Sequence, residues 1–331
     1  MKNFTYFRPG TAEQAVGLLE NRWGNTELLA GGTDLLALQK DYVAQPTRVV
    51  SLGNINALVG ITRNDRAITI GAGTRLAAIA EHAEVRRLFP ALASAAGEIG
   101  GPQIRNMGTL GGNLCQRNRC WYFRDEHVTC LLKGGARCFA LDGENQYHAI
   151  FTAGHRCVIV SPSTLAPPLI ALGASAEVLG PRGRRTVELA NFFHAPAGPG
   201  EREHVVAADE VVLSVTIPNR TLANADYEVK HKQAHDWPLV QASVAFARTN
   251  ETATGVKIVL GHVAPTPHVA EAAARSVEGH AITEAIATAA GRAAAEGARP
   301  LSKNDYKVKL VEVAVKRALM MAAGLPRYWE G

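Results

Sequence analysis

The chemistry in this chain is concentrated between residues 108 and 157. All five cysteines lie there: Cys115, Cys120, Cys130, Cys138 and Cys157. Thiolates are metal ligands, and a set of four suits either an iron–sulfur cluster or a structural zinc. The rest of the sequence has no cysteine, so this is not the disulfide framework of a small secreted domain. In a reducing compartment such a group reads as metal-binding or catalytic. Directly before it runs a glycine-rich turn, Gly108-Thr109-Leu110-Gly111-Gly112-Asn113-Leu114. A second turn of this kind occurs earlier, at Ala30-Gly31-Gly32-Thr33-Asp34. Such bends expose consecutive backbone N–H groups, and glycine lets a pyrophosphate approach without a Cβ in the way. Taken singly, each is equally ordinary helix-capping chemistry. Neither is a Rossmann fingerprint, because no G-x-G-x-x-G stands at a first strand–helix turn. A phosphate-holding turn that runs into a thiol-rich segment points to electron transfer.

Other catalytic patterns are missing. The 11 histidines include no H-E-x-x-H pair, and no G-x-S-x-G nucleophile elbow is present. His148 and His155 fall inside the thiol-rich segment, where they could influence a metal centre without ligating it.

The elements that must position these residues follow from pattern. At 331 residues and 47% hydrophobic content, the chain has room for two or three globular domains. Its net charge of +5 is dispersed, with no basic block longer than Arg182 to Arg185, which argues against a nucleic-acid binder. No run approaches the ~18 apolar residues of a membrane span, and the first ten residues lack the apolar core of a signal peptide. The expectation is a cytoplasmic protein, exported only if bound to a partner that carries the signal.

Thr11 to Gln14 has capping-box spacing, Glu27 to Ala30 reads as a buried strand, and Thr33-Asp34 can cap a helix through Leu38. Arg48 to Leu52 is a further strand. A second unit follows with strand Ala67 to Gly71, a helix through Ala91 to Glu98, strand Val158 to Val160, helix Leu165 to Leu172 and strand Ala176 to Leu179. Gly180-Pro181-Arg182-Gly183 reads as a linker. Beyond it, strand candidates at Val211 to Ile217, Tyr227 to Lys232, Ala242 to Ala247 and Val256 to Leu260 precede two helices, Ala281 to Gly297 and Asp305 to Ala323. That order is an α+β pattern.

Three ordered stretches carry a resemblance: Ala30 to Leu36, Ile99 to Asn106 and Gly108 to Leu114. Together they resemble the FAD-binding medium subunits of the molybdenum hydroxylase family, which includes xanthine dehydrogenase, carbon monoxide dehydrogenase and 4-hydroxybenzoyl-CoA reductase. The likeness continues through Ser161 to Ala166 and Val212 to Pro218 and covers nearly the whole chain. It implies an α+β protein: a two-subdomain FAD-binding domain of the vanillyl-alcohol-oxidase type over residues 1–180, divided near residue 57, then a smaller α+β domain over 184–331. It also implies an FAD held by Ala30, Gly31, Gly32, Thr33, Asp34 and Leu35 together with Thr109, Gly111, Gly112 and Asn113. Leu29 and Ile104 are implied flavin-wall residues, and Lys230 falls near the expected isoalloxazine, with His231, His235 and Asp236 beside it. Thr164 stands where many relatives carry an acidic residue, so its cofactor contact would be through a hydroxyl.

Against plain family members, residues of about 115–157 are an insertion. Relatives with such an insertion, notably periplasmic aldehyde oxidoreductase, carry a 4Fe–4S cluster in it. The resemblance assigns Cys120, Cys130, Cys138 and Cys157 as its ligands and leaves Cys115 to the flavin turn. Arg117, Arg119, Arg124, Lys133 and Arg137 would offset the cluster's negative charge, and Trp121, Tyr122 and Phe123 would wall it from water. The function implied is electron transfer through FAD and this cluster, in a heterotrimer with a large molybdenum-cofactor subunit and a small subunit holding two 2Fe–2S clusters. Structural zinc, a stand-alone flavin oxidase and a non-redox scaffold remain open on the residues alone.

Overall fold

The computed structural model describes residues 1–233 and 235–329. Its first sheet is parallel, built from β1 (Thr5–Phe7), β2 (Thr26–Leu29) and β3 (Arg48–Ser51) in the order β1–β3–β2. The helix Ala12–Val16 starts where the capping box predicts. Thr11 Oγ1 accepts from the Gln14 N–H at 3.2 Å, while the Gln14 side chain reaches past Thr11 to accept from Gly10 N–H at 2.8 Å. After β2 the chain bends at Gly32 and enters the helix Leu35–Lys40, which carries the crossover to β3.

The second sheet is antiparallel, with β4 (Ile61–Arg63), β5 (Ala67–Gly71), β6 (Ser175–Gly180), β7 (Gly183–Glu188) and β8 (Val211–Pro218) in the order β4–β5–β8–β6–β7. Ile68, Ile70, Ala176, Val178, Val215 and Ile217 alternate inward against the helices Leu76–Glu81, Pro90–Glu98 and Ala166–Ala171. Gly180 pairs with Gly183, so the supposed linker is the turn of the β6–β7 hairpin. Without β8, neither β5 nor β6 would have its inner partner, so the second subdomain runs on to Pro218 and the crossing to the last domain lies just beyond it.

The third sheet, in the order β12–β11–β10–β9, comprises β9 (Ala223–Val229), β10 (Val240–Thr249), β11 (Thr252–Gly261) and β12 (His268–Val269). The helices Glu271–Val277, Glu284–Ala295 and Tyr306–Ala323 cover one face. Val311, Ala314, Val315, Ala318 and Leu319 recur at helical spacing on the last of these and are fully buried against the sheet.

The cysteine-bearing segment has little regular structure and is held from both sides. Arg117 and Arg124 bind Asp34 of the first subdomain. Asn304 of the last domain donates to the carbonyls of His148 (3.1 Å) and Ala149 (3.3 Å). The expected strand Val158–Val160 does not form. Its neighbourhood bonds to two different partners, Ala149 N–H to Val158 O and Ser161 N–H to Ala264 O, so no ladder is built.

Candidate cofactor cleft and thiol cluster

The two glycine turns meet. A Cβ on Gly31 would lie 1.9 Å from the carbonyl oxygen of Met107, so only glycine allows the first loop to touch the entry to the second. Gly32 has φ +76°, the left-handed conformation that turns the chain from β2 into its helix. On the facing loop, Thr109 caps the helix Leu110–Leu114 by accepting from Gly112 N–H at 3.1 Å. Between the loops is a cleft of about 400 Å³, lined by Ala30, Gly31, Gly32, Thr33, Asp34, Leu35, Thr109, Gly111 and Gly112 among others. Through Thr33, Asp34, Thr109, Gly112 and Gln116 it continues into a second cleft of about 240 Å³. Ile104, Asn113, Thr164, Glu98 and Trp237 line that second part. The result is one groove whose waist, where the clefts join, carries Thr33, Thr109 and Gly112 together with the polar side chains of Asp34 and Gln116.

Two expected residues stand elsewhere. Leu29 is the last residue of β2 and lies outside both linings, although its Cδ1 is 3.4 Å from where a Gly32 Cβ would be. The Lys230 ammonium is set behind Glu98, 2.7 Å from its carboxylate and 2.8 Å from that of Glu228. Asn113 lines the groove, but its Oδ1 accepts from Ser163 Oγ (2.7 Å) and Leu165 N–H (3.3 Å), so it ties the groove floor to the Ser161–Leu165 stretch. Thr164 is 3.5 Å from His262 Nε2.

Several groove residues carried no sequence signal. Arg202 stacks over Trp23 at 4.5 Å and pairs with Glu27, while His204 meets Trp23 edge-on at 5.8 Å. Burial pushes the His204 imidazole down to about 4, so it is neutral at physiological pH. These residues come from a loop far along the chain with no glycine or periodic pattern to mark it.

Asp34 does not cap its helix with its side chain. Its carboxylate instead binds the cysteine segment, accepting from Arg117 N–H (2.8 Å) and Arg124 (2.6 Å) and pairing with Arg119 (2.9 Å). Burial works against its ionisation, but Arg119 and Arg124 outweigh that and hold the carboxyl below its ordinary value. This contribution to stability is complete above the unfolded carboxyl's value of 3.8 and is lost as pH falls through the lower folded one. Replacing Asp34 with asparagine removes the charge facing the half-buried Arg119 and Arg124, which keep Gln116 and the Asn118 and Arg117 carbonyls, and an expected loss of about 1–3 kcal/mol should appear as a lowered urea midpoint at pH 7.

The thiols fall into two groups. Cys130, Cys138 and Cys157 are buried, Cys120 is half-buried, and the four interact. Cys138 and Cys157 share a hydrogen bond that favours the thiolate on Cys138 and the thiol on Cys157. Burial and the charges of Cys138 and Cys130 push Cys120 up to about 12, and His148 Nε2 is 3.2 Å from its sulfur. Cys115 is raised to about 12 by burial alone and packs on the core of the second subdomain. Among the described residues, no three of His, Cys, Asp and Glu converge closely enough to hold a single metal ion. Trp121 meets Tyr122 and His148 edge-on, and Phe123 and Phe139 pack with Cys120, Cys130 and Cys157, so the thiols have an aromatic surround. A smaller cavity of about 190 Å³ lies between Cys120 and the groove, from which Arg119, stacked 4.6 Å over Trp237, separates it.

Known proteins share this architecture. Residues 2–220 match the family described as the FAD binding domain in molybdopterin dehydrogenase, and residues 225–322 match the CO dehydrogenase flavoprotein C-terminal domain. The junction between them coincides with the end of β8. The chain is 34% identical over 278 residues to the aldehyde oxidoreductase FAD-binding subunit PaoB of Escherichia coli (strain K12), covering 82% of this chain and 85% of that one. It is 30% identical over 325 residues to the carbon monoxide dehydrogenase medium chain of Hydrogenophaga pseudoflava, covering 96% of each. A solved structure of carbon monoxide dehydrogenase from that organism, lacking the Mo-pyranopterin moiety, superposes with a TM-score of 0.77 at 27% identity and 98% coverage of both chains. No helix among the described residues is long and apolar enough to cross a membrane. With its paired glycine loops, its groove and a family match along nearly its whole length, the chain belongs to the FAD-binding medium subunits of the molybdenum hydroxylase family and is an oxidoreductase flavoprotein subunit.

Proposed function

We propose that this chain relays electrons between FAD and a 4Fe–4S cluster within a cytoplasmic complex containing a large molybdenum-cofactor subunit and a small subunit with two 2Fe–2S clusters. The carrying observation is the direct tie between the two sites: Asp34 lines the groove and binds Arg117, Arg119 and Arg124 of the cysteine segment. FAD exchanges electrons in pairs or singly, which lets it join one-electron clusters to a two-electron acceptor. Gly31, Gly32, Thr33, Thr109, Gly111 and Gly112 would hold its pyrophosphate at the waist, with Ile104, Asn113 and Thr164 along the wider second cleft. Cys120, Cys130, Cys138 and Cys157 would hold the cluster. Their burial, mutual interaction and aromatic surround suit a thiolate-ligated centre shielded from water. Arg119, stacked over Trp237, stands between the groove and the cavity that Cys120 lines.

The relatives support the assembly. One is named as the FAD-binding subunit of an aldehyde oxidoreductase and another as the medium chain of carbon monoxide dehydrogenase. With all its cysteines in one segment, this chain has none for 2Fe–2S centres of its own. Substrate oxidation therefore belongs to a partner.

Anaerobic purification followed by an absorption spectrum, iron and zinc analysis, and EPR after reduction tests the proposal. Flavin bands, about four irons per chain and a reduced-cluster signal are expected. Flavin with zinc and no iron would keep the flavin site and reduce the insertion to a structural clip. Folded protein with neither flavin nor iron would overturn the whole reading.

A further inference from the structure

Behind the second cleft lies an acid–base cluster whose Asp226 and Glu228 side chains are buried and whose Glu98 is exposed at the groove. Asp226, Glu228 and Lys230 alternate along β9 and its end, so their side chains share the face that meets the helix Pro90–Glu98. Lys230 bridges Glu228 at 2.8 Å and Glu98 at 2.7 Å, and it also donates to the Glu98 carbonyl at 3.1 Å. Asp226 Oδ1 accepts from Ser243 and, at 2.9 Å, from Gln241, whose Nε2 also donates to the carbonyl of Thr164 at 2.9 Å. The cluster thus reaches the groove wall at two points, Glu98 and Thr164. Three carboxyl groups share one ammonium, and among the described residues Glu228 has no donor other than Lys230. A deeply buried excess of carboxylate is stable only if it keeps protons.

We infer that Glu228 is the proton store of the flavin cleft, taking up a proton when negative charge enters the groove and releasing it when that charge leaves. The inference rests on the reading of the groove as the FAD site. A bound flavin that accepts two electrons and one proton becomes one negative charge richer. Wherever Glu228 is ionised beforehand, a second proton taken from solvent onto its carboxylate balances that charge, so two electrons then arrive with two protons. The reductant is whatever donor reduces the flavin, dithionite in the test below.

The surroundings suit this role. Burial raises the Glu228 carboxyl to about 7, opposed by Lys230, so it is divided between its two forms near neutrality. Burial and the charge of Glu228 raise Asp226 well above its ordinary value, while Ser243 and Gln241 donate to it. His262, facing the cluster from the end of β11, is pushed down to about 3 by burial, with the charges of Lys307 and Lys230 adding to the effect, and is neutral. Lys307 behind it donates to the carbonyls of Tyr147 and His262. On the opposite face of β9, Arg317 is engaged with Tyr227.

The test is reductive titration of the FAD-loaded chain with dithionite and redox mediators between pH 6 and 9. The count of protons taken up per two electrons is read from how the flavin midpoint potential moves with pH. About 1.5 protons are expected at pH 7, where Glu228 is already half protonated before reduction, and closer to about two near pH 8 for the native chain, against about one at both for Glu228→Gln. Glu98→Gln leaves Lys230 to Glu228 alone and should lower the pH at which the count falls from two to one. An unchanged count in a flavin-loaded Glu228→Gln chain overturns the inference. A native chain without flavin defeats the reading of the groove instead, and if Glu228→Gln does not fold, an unshifted Glu98→Gln profile overturns the inference.

Discussion

Valine at Gly31 should leave a folded chain that no longer retains flavin. The site tolerates no Cβ, because the added atom would lie 1.9 Å from Met107 O and 2.7 Å from Met107 C, both backbone atoms that cannot rotate away. Relief requires the two loops to part by more than 1 Å. The waist of the groove is built from these loops, and a displacement of that size in a binding constellation costs about a hundredfold. The expected result is flavin affinity reduced about a hundredfold or more, read as the flavin-to-protein ratio after gel filtration. Far-ultraviolet circular dichroism should be nearly unchanged, since the strand pairings of the second and third sheets do not involve the two loops. Gly17→Ala is the control. That glycine has a helical φ of −63°, and its Cβ would be 3.6 Å from its nearest neighbours, so flavin content should match the native chain. Full flavin retention by Gly31→Val would remove the first loop from the site.

What could be read in advance was whatever the backbone requires locally. The glycine bends, the Thr11 cap and the apolar face of Tyr306–Ala323 depend on residues a few positions apart, and each stands where its pattern predicts. The place of β8 depends instead on pairing with β5 and β6. Thr69 meets Thr216 at 3.1 Å across most of the sheet's sequence span, and nothing near Val211 announces that partner. The glycines at 180 and 183 looked like a linker because a hairpin turn and a linker use the same residues. Asp34 shows the same limit in the site. Its position after two glycines reads as a helix cap, whereas its charge is consumed by arginines some 90 positions later. Arg202, His204 and Trp237 were illegible for the same reason, as isolated polar or aromatic residues on loops that other elements bring to the groove. Lys230 was placed near the flavin by resemblance, but its two carboxylate partners could only be seen in three dimensions.

Replacing Cys130 with serine should remove the cluster and leave the flavin. Its backbone N–H bonds to Val128 O, and its carbonyl accepts from Lys133 (2.8 Å) and Gly135 (2.9 Å), so the local turn does not depend on the sulfur. Serine has nearly the same shape, but its hydroxyl is a hard and weakly acidic group that substitutes poorly for a thiolate on iron. Iron should fall from about four per chain to below about one, with the reduced-cluster EPR signal lost. Cys115→Ser should keep both. That thiol lies at the end of the helix Leu110–Leu114, packs on the second-subdomain core, and is raised by burial alone, without the mutual charge effects that link Cys120, Cys138 and Cys157. A hydroxyl there is a buried polar substitution, so the cost should appear as about 1–3 kcal/mol of stability rather than as lost metal. The two variants therefore separate in opposite directions, one in metal content and the other in thermal midpoint. Loss of iron from Cys115→Ser with retention in Cys130→Ser would move the ligand set toward the flavin turn. In that case the cluster would border the groove directly, without Arg119 and Trp237 in between.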